Sequence, residues 1–200
     1  MSRNILAISG SGFSYGTPSF IDEYILKQKS GIAPLKVCFI PTATKDSQRY
    51  IDKFYDAFAN HHATHITIGE MEAKNVRDTV LAQDILYVGG GDTKFMLSVW
   101  RETGFIELLK EAYEKGIILA GISAGAMCWF EVCFDEGEEF EGVGLLPGTF
   151  CPHYNEEKVK EDFEHWLNST SVEISYTATD PETYHFRDEK LLAVIKTMNN

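Results

Sequence analysis

The sequence predicts an α/β domain built as three layers, with a mostly parallel central sheet between helices. Short runs rich in Ile, Leu and Val alternate with amphipathic stretches from residue 4 to residue 121. The apolar runs are four to six residues long, a strand length rather than a helix length. Two of them end in glycine-rich turns that open a helical pattern, as strand-to-helix crossovers require. No repeat, low-complexity tract or linker interrupts the 200 residues, so residues 1–200 read as a single domain.

The expected buried strands cover residues 4–9, 36–40, 64–68, 85–88 and 117–121. Between them, residues 48–61 follow Asp46 and Ser47 as capping candidates and put Ile51, Phe54, Tyr55 and Phe58 on one face. Residues 104–115 repeat this with Phe105, Leu108, Leu109 and Ala112. Beyond Ser123 the pattern loosens. Residues 156–168 read as a helix, and 172–178, 183–187 and 191–196 as strands added antiparallel at the sheet edge.

Composition narrows the function. Net charge is −12, which opposes non-specific nucleic-acid binding and docking on anionic membrane. The N-terminal apolar run is shorter than a secretory signal needs, and no stretch approaches a membrane span. Cys38, Cys128, Cys133 and Cys151 form no Cys-x-x-Cys pair, so reduced thiols in a cytoplasm are expected. Domains of this class commonly form homodimers, which sets the expectation for assembly.

The sharpest motif is Gly121-Ile122-Ser123-Ala124-Gly125-Ala126, between a predicted strand and a short helical run, 124–129. In that context G-x-S-x-G presents a serine hydroxyl at the carboxyl end of a sheet and at a helix N-terminus. The backbone N–H of Ala124 is then a natural oxyanion donor. A second loop, Val88-Gly89-Gly90-Gly91-Asp92-Thr93, also follows a strand and opens a helix, 93–100. It lacks the Gly-Lys-Ser/Thr ending of a P-loop and does not fit G-x-G-x-x-G. A second set of oxyanion N–H groups is the better reading, with Asp92 as helix N-cap.

Six histidines compete for the role of base. His153 lies in a predicted loop, where a base can reach an exposed serine. His165 falls in a helix and His185 in a strand-like run. His61, His62 and His65 cluster without a cysteine or carboxylate to complete a metal site, so no metal is expected. The carboxylate partner is open between Glu182, Asp180 and Asp135. Asp135 gives the Ser, Asp, His chain order of α/β-hydrolases, although the acidic run 135–141 reads as a solvated loop.

Together, Tyr-Val-Gly-Gly-Gly-Asp-Thr and Gly-Ile-Ser-Ala-Gly-Ala resemble the dipeptidase E family of serine peptidases, from the first strand to about Glu182. The resemblance implies a class I glutamine amidotransferase-like (flavodoxin-like) fold, with serine in place of that fold's cysteine. It implies hydrolysis of small peptides with no metal or cofactor. Carried over, Ser123 is the nucleophile, Gly91 and Ala124 supply the oxyanion N–H groups, His153 is the base, and Glu182, in Asp180-Pro181-Glu182, orients it. One departure stands out. The stretch 155–162 after His153 contains no arginine for an aspartyl substrate. Lys158 and Lys160 are the candidate carboxylate binders left there, as point charges without arginine's fork. Two rival readings are an α/β-hydrolase-type esterase and a catalytically silent amidotransferase-like domain that binds a ligand.

Overall fold

The computed structural model describes residues 2–14, 19–29 and 34–197. In chain order its elements are β1 (Asn4–Ile8), α1 (Phe20–Lys27), β2 (Lys36–Ile40), α2 (Gln48–Ala57), β3 (His62–His65), α3 (Val76–Leu81), β4 (Ile85–Val88), α4 (Thr93–Glu102) and α5 (Phe105–Glu114). There follow β5 (Ile118–Ile122), α6 (Ala124–Met127), β6 (Phe130–Asp135), β7 (Glu138–Glu141), β8 (Leu146–Cys151), α7 (Glu157–Leu167), β9 (Ser175–Thr177), β10 (Glu182–Arg187) and β11 (Lys190–Lys196). The α/β class holds, with a mostly parallel central sheet and flanking helices.

The central sheet has seven strands in the order β11-β10-β1-β5-β4-β2-β3. β1 to β5 run parallel, and β10 and β11 add antiparallel at one edge, as expected. Successive residues of each buried strand face opposite layers. Ile5, Ala7, Leu86 and Val88 join the core under α4, α5 and α6. Leu6, Ile8, Ile85 and Tyr87 join the core under α1 and α2, with Phe13, Phe39, Phe54 and Phe58. Burial on both faces explains why these strands read as continuous apolar runs rather than alternating ones.

Four expectations change. The strand expected at 172–178 as an antiparallel edge addition is β9, Ser175–Thr177, which pairs parallel with β8 outside the central sheet. The strand at 64–68 starts earlier, at His62, and ends at His65. There the Thr67 hydroxyl, with Glu70, caps a short 3-10 turn instead. The helix at 48–61 stops at Ala57, and Ser47 makes no side-chain cap. The acidic run 135–141 is part of a hairpin, β6–β7, turning at Glu136 and Gly137, both at positive φ (49° and 82°). A two-residue loop with positive φ matches the right-handed strand twist, which is why charge alone misread it. This hairpin belongs to a second, four-stranded sheet, β7-β6-β8-β9, which the loosened pattern after Ser123 concealed.

The core contains one isolated carboxyl. Asp22 on α1 is 6% exposed, accepts the Tyr87 hydroxyl at 2.8 Å, and leaves Oδ2 without a partner among the described residues. Burial pushes it up to about 7, although hydrogen bonds from Tyr87 and Ser19 pull the other way. The folded state therefore holds a proton that the unfolded chain releases near pH 4. The stability that this carboxyl contributes falls as pH rises from about 4 to about 7 and is level above that, by roughly 1 kcal/mol per pH unit crossed. Asp22→Asn removes the dependence. Its melting temperature relative to the parent should be several degrees more favourable at pH 8 than at pH 4.5. An equal offset at both values would contradict this.

Candidate active site

Ser123 sits in the turn between β5 and α6 at φ 54°, ψ −110°. This backbone region is sparsely populated for a residue with a Cβ, and costs on the order of 1–3 kcal/mol unless surroundings fix it. Several contacts fix it. The Ser123 N–H donates to the Ile8 carbonyl of β1 at 2.9 Å, and its carbonyl accepts from Ala126 and Met127. A Cβ on Gly121 would lie 2.0 Å from the Gly125 carbonyl oxygen, and one on Gly125 would lie 2.5 Å from that of Val88. Only glycine lets α6 fold back so closely over β5 and β4.

The glycine loop after β4 lies against this turn. A Cβ on Gly90 would be 3.3 Å from Ser123 Cβ and 3.9 Å from its Oγ. Gly91 holds φ 138°, where a Cβ would meet the Ala43 carbonyl oxygen at 2.3 Å. Asp92 donates its N–H to that carbonyl and caps α4 by accepting from Phe95, the role expected of it. Among the described residues, no acceptor takes the N–H of Gly91 or of Ala124. Two free donors therefore flank the serine at adjacent strand ends.

His153 follows β8, at φ 54°. Its N–H donates to Ser9 Oγ at 2.7 Å, and the Ser9 hydroxyl donates onward to the Ala178 carbonyl. Its ring bridges the site, with Nε2 2.9 Å from Ser123 Oγ and Nδ1 2.5 Å from Asp180 Oδ1. Asn155 braces Asp180 on both sides, donating Nδ2 to Oδ2 and accepting the Asp180 N–H. Gly10 closes the far side, because a Cβ there would meet Asp180 Oδ1 at 2.3 Å. A serine, imidazole and carboxylate in this chain can shuttle a proton between an attacking hydroxyl and a leaving group.

The carboxylate that meets His153 is thus Asp180, in place of the expected Glu182. Glu182 Oε2 accepts the Thr179 N–H and hydroxyl, and Oε1 pairs with Lys196 at 3.0 Å. Burial alone would raise its carboxyl, but the Thr179 and Lys196 contacts hold it below the ordinary range. Glu182 shapes the turn that presents Asp180. Asp135 accepts the Thr93 hydroxyl at 2.9 Å and does not reach His153. Lys158 pairs with Asp162, its side chain 87% exposed, and Lys160 pairs with Glu164 and lies over the Tyr154 ring.

The other five histidines lie outside this contact, His62 among them, exposed on β3. His185 is buried between Tyr24 and Asn4, and burial pushes it down to about 4. His61 accepts from the Leu35 N–H, and His65 bonds the Tyr55 hydroxyl. His165 is exposed on α7. Among the described residues, one grouping brings possible metal ligands within 4.8 Å, namely His153, Glu156 and Asp180. In this grouping both Asp180 oxygens are engaged, one by His153 and one by Asn155.

Comparison with known proteins shows the family and the fold. The family model of Peptidase family S51 matches residues 5–194. The chain is 36% identical over 203 aligned residues to the uncharacterized peptidase YgaJ of Bacillus subtilis (strain 168), covering 98% of this chain and 88% of that one. It is 28% identical to a peptidase E of Streptomyces coelicolor, over 66% of this chain and 57% of the relative. The crystal structure of a peptidase from an acI-B1 Actinobacterium superposes with a TM-score of 0.77 at 16% identity, over 98% of this chain and 88% of that chain, and so shares the fold. The chain belongs to Peptidase family S51 and is a serine-type peptidase.

Proposed function

We propose that this peptidase is a cytoplasmic dipeptidase or short-peptide exopeptidase that works through an acyl-enzyme on Ser123. The observation that carries the reading is the continuous contact from Ser123 Oγ through His153 to Asp180, at 2.9 and 2.5 Å. The four free, buried cysteines are compatible with a reducing compartment. No cofactor enters the proposal.

In this mechanism Ser123 Oγ attacks the scissile carbonyl carbon while His153 Nε2 takes its proton. Asp180 holds the ring with Nδ1–H toward itself and stabilises the imidazolium that forms. The carbonyl oxygen becomes an oxyanion held by the Gly91 and Ala124 N–H groups, each worth about 2.7–4 kcal/mol of barrier. The intermediate collapses as His153 protonates the leaving amine, which departs. Water then attacks the acyl-enzyme with His153 as base and releases the acid and Ser123. The strained nucleophile elbow keeps Oγ at the start of α6, so little reorganisation is needed.

A fluorophosphonate probe followed by mass spectrometry should locate one adduct, on Ser123, and Ser123→Ala should abolish it. Dipeptide hydrolysis should fall about 10⁶-fold in that variant. A folded protein that takes no label, or takes it elsewhere, would refute the reading. A pair of substitutions separates the two carboxylates. Asp180→Asn should cut kcat by roughly 10³–10⁴ with KM little changed. Glu182→Gln should mainly lower the melting temperature, since it loosens the Thr179 turn. The reverse order would return the partner role to Glu182. Gly10→Ala should reduce kcat at least about tenfold by displacing Asp180 from His153, and should lower the melting temperature as well, because the added Cβ meets Asp180 Oδ1, Cγ and Cβ at 2.3, 2.7 and 3.0 Å.

A further inference from the structure

Once Asp180 is on His153, Asp135 is a carboxylate that the proposed chemistry does not use. Its position is informative. It ends β6 and accepts the hydroxyl of Thr93, two residues beyond Gly91. It walls a cavity of about 400 Å³ together with Gly91, Asp92, Lys94, Glu136 and Glu138. It also walls a larger one of about 900 Å³ with Cys151, two residues before His153. Asp135 therefore shares one cavity with the oxyanion-donor glycine and another with the residue two before the base.

The surrounding charges leave this carboxylate uncompensated. Lys94 is taken by Glu138, and Lys158, on the wall of the larger cavity, is taken by Asp162. Asp92 is occupied as the cap of α4. Among the described residues no cation pairs with Asp135, whose side-chain donor is the Thr93 hydroxyl. Burial accordingly raises its carboxyl, against the lowering bond from Thr93. A half-buried carboxylate without a cationic partner gains most from a ligand that supplies one.

We infer that Asp135 anchors a positively charged nitrogen of the residue whose carbonyl is attacked, either its α-ammonium or a basic side chain. This rests on the peptidase reading above and names its substrate class. It also accounts for the missing arginine after His153. The wall of the cavity beside Gly91 is acidic, so an aspartyl residue meets repulsion there and a cationic residue meets attraction.

Calorimetric binding on Ser123→Ala, which removes turnover, tests this directly with Ala-Ala, Lys-Ala, Asp-Ala and the N-acetylated forms of the first two. Adding Asp135→Asn, which keeps an acceptor for Thr93, should weaken Lys-Ala or Ala-Ala roughly 10- to 100-fold. Loss of Ala-Ala binding on acetylation identifies the α-ammonium. Binding of N-acetyl-Lys-Ala, still lost with Asp135→Asn, identifies the side chain. Asp135→Asn alone should react with the fluorophosphonate, which carries no cation, within about twofold of the parent rate. Equal peptide binding with and without Asp135 would overturn the inference. So would loss of labelling in a variant that still melts cooperatively, since Asp135 would then act on the serine itself. Normal peptide binding by Ser123→Ala beside a parent that cleaves nothing would count against the peptidase reading while leaving the anchor intact.

Discussion

The site depends on one close approach, that of the Gly125 carbonyl to Gly121, with Gly125 itself pressed on the Val88 carbonyl. No side chain fits in either gap. This contact allows the short helix α6 to double back over β5, which forces Ser123 to positive φ and turns its hydroxyl outward. The same packing brings the glycine loop after β4 beside the serine. Nucleophile position and oxyanion donors are thus consequences of one backbone–backbone contact. Distributing the strain over β1, β4 and β5 is what makes it tolerable, because each is buried on both faces and cannot yield.

Much of this was legible in the chain. Buried parallel strands have no solvated face, so residues 36–40 and 85–88 announced themselves as unbroken apolar runs with the boundaries observed. Gly121 and Gly125 marked the turn because a turn that tight tolerates nothing larger. His153 was harder, since a loop histidine has no periodicity to identify it, and the family resemblance was what singled it out.

The carboxylate partner shows where the sequence runs out. Asp180 and Glu182 lie in the same turn, on either side of Pro181, and each is the right residue type. Which one reaches the imidazole depends on contacts between distant segments. Asn155 locks Asp180 from one side, Gly10 leaves room on the other, and Thr179 with Lys196 draws Glu182 away. None of these is local. The second sheet was hidden for a related reason. β7 and β9 are short and partly exposed, β8 is buried but carries Pro147 and Gly148, which read as a turn, and the charge of residues 135–141 hid the hairpin.

The order in which these segments leave the ribosome has its own consequence. Ser123, the glycine loop and the five parallel strands of the central sheet are complete by residue 123. Asp180 and β10, which pairs with β1, come more than fifty residues later. His153 is held by Ser9 and faces Asp180, so its ring has no fixed orientation until the C-terminal strands close on the first strand. A growing chain therefore carries Ser123 without its full set of partners from residue 123 to residue 180. The contact from Ser123 through His153 to Asp180 thus joins the first strand to the C-terminal third of the chain.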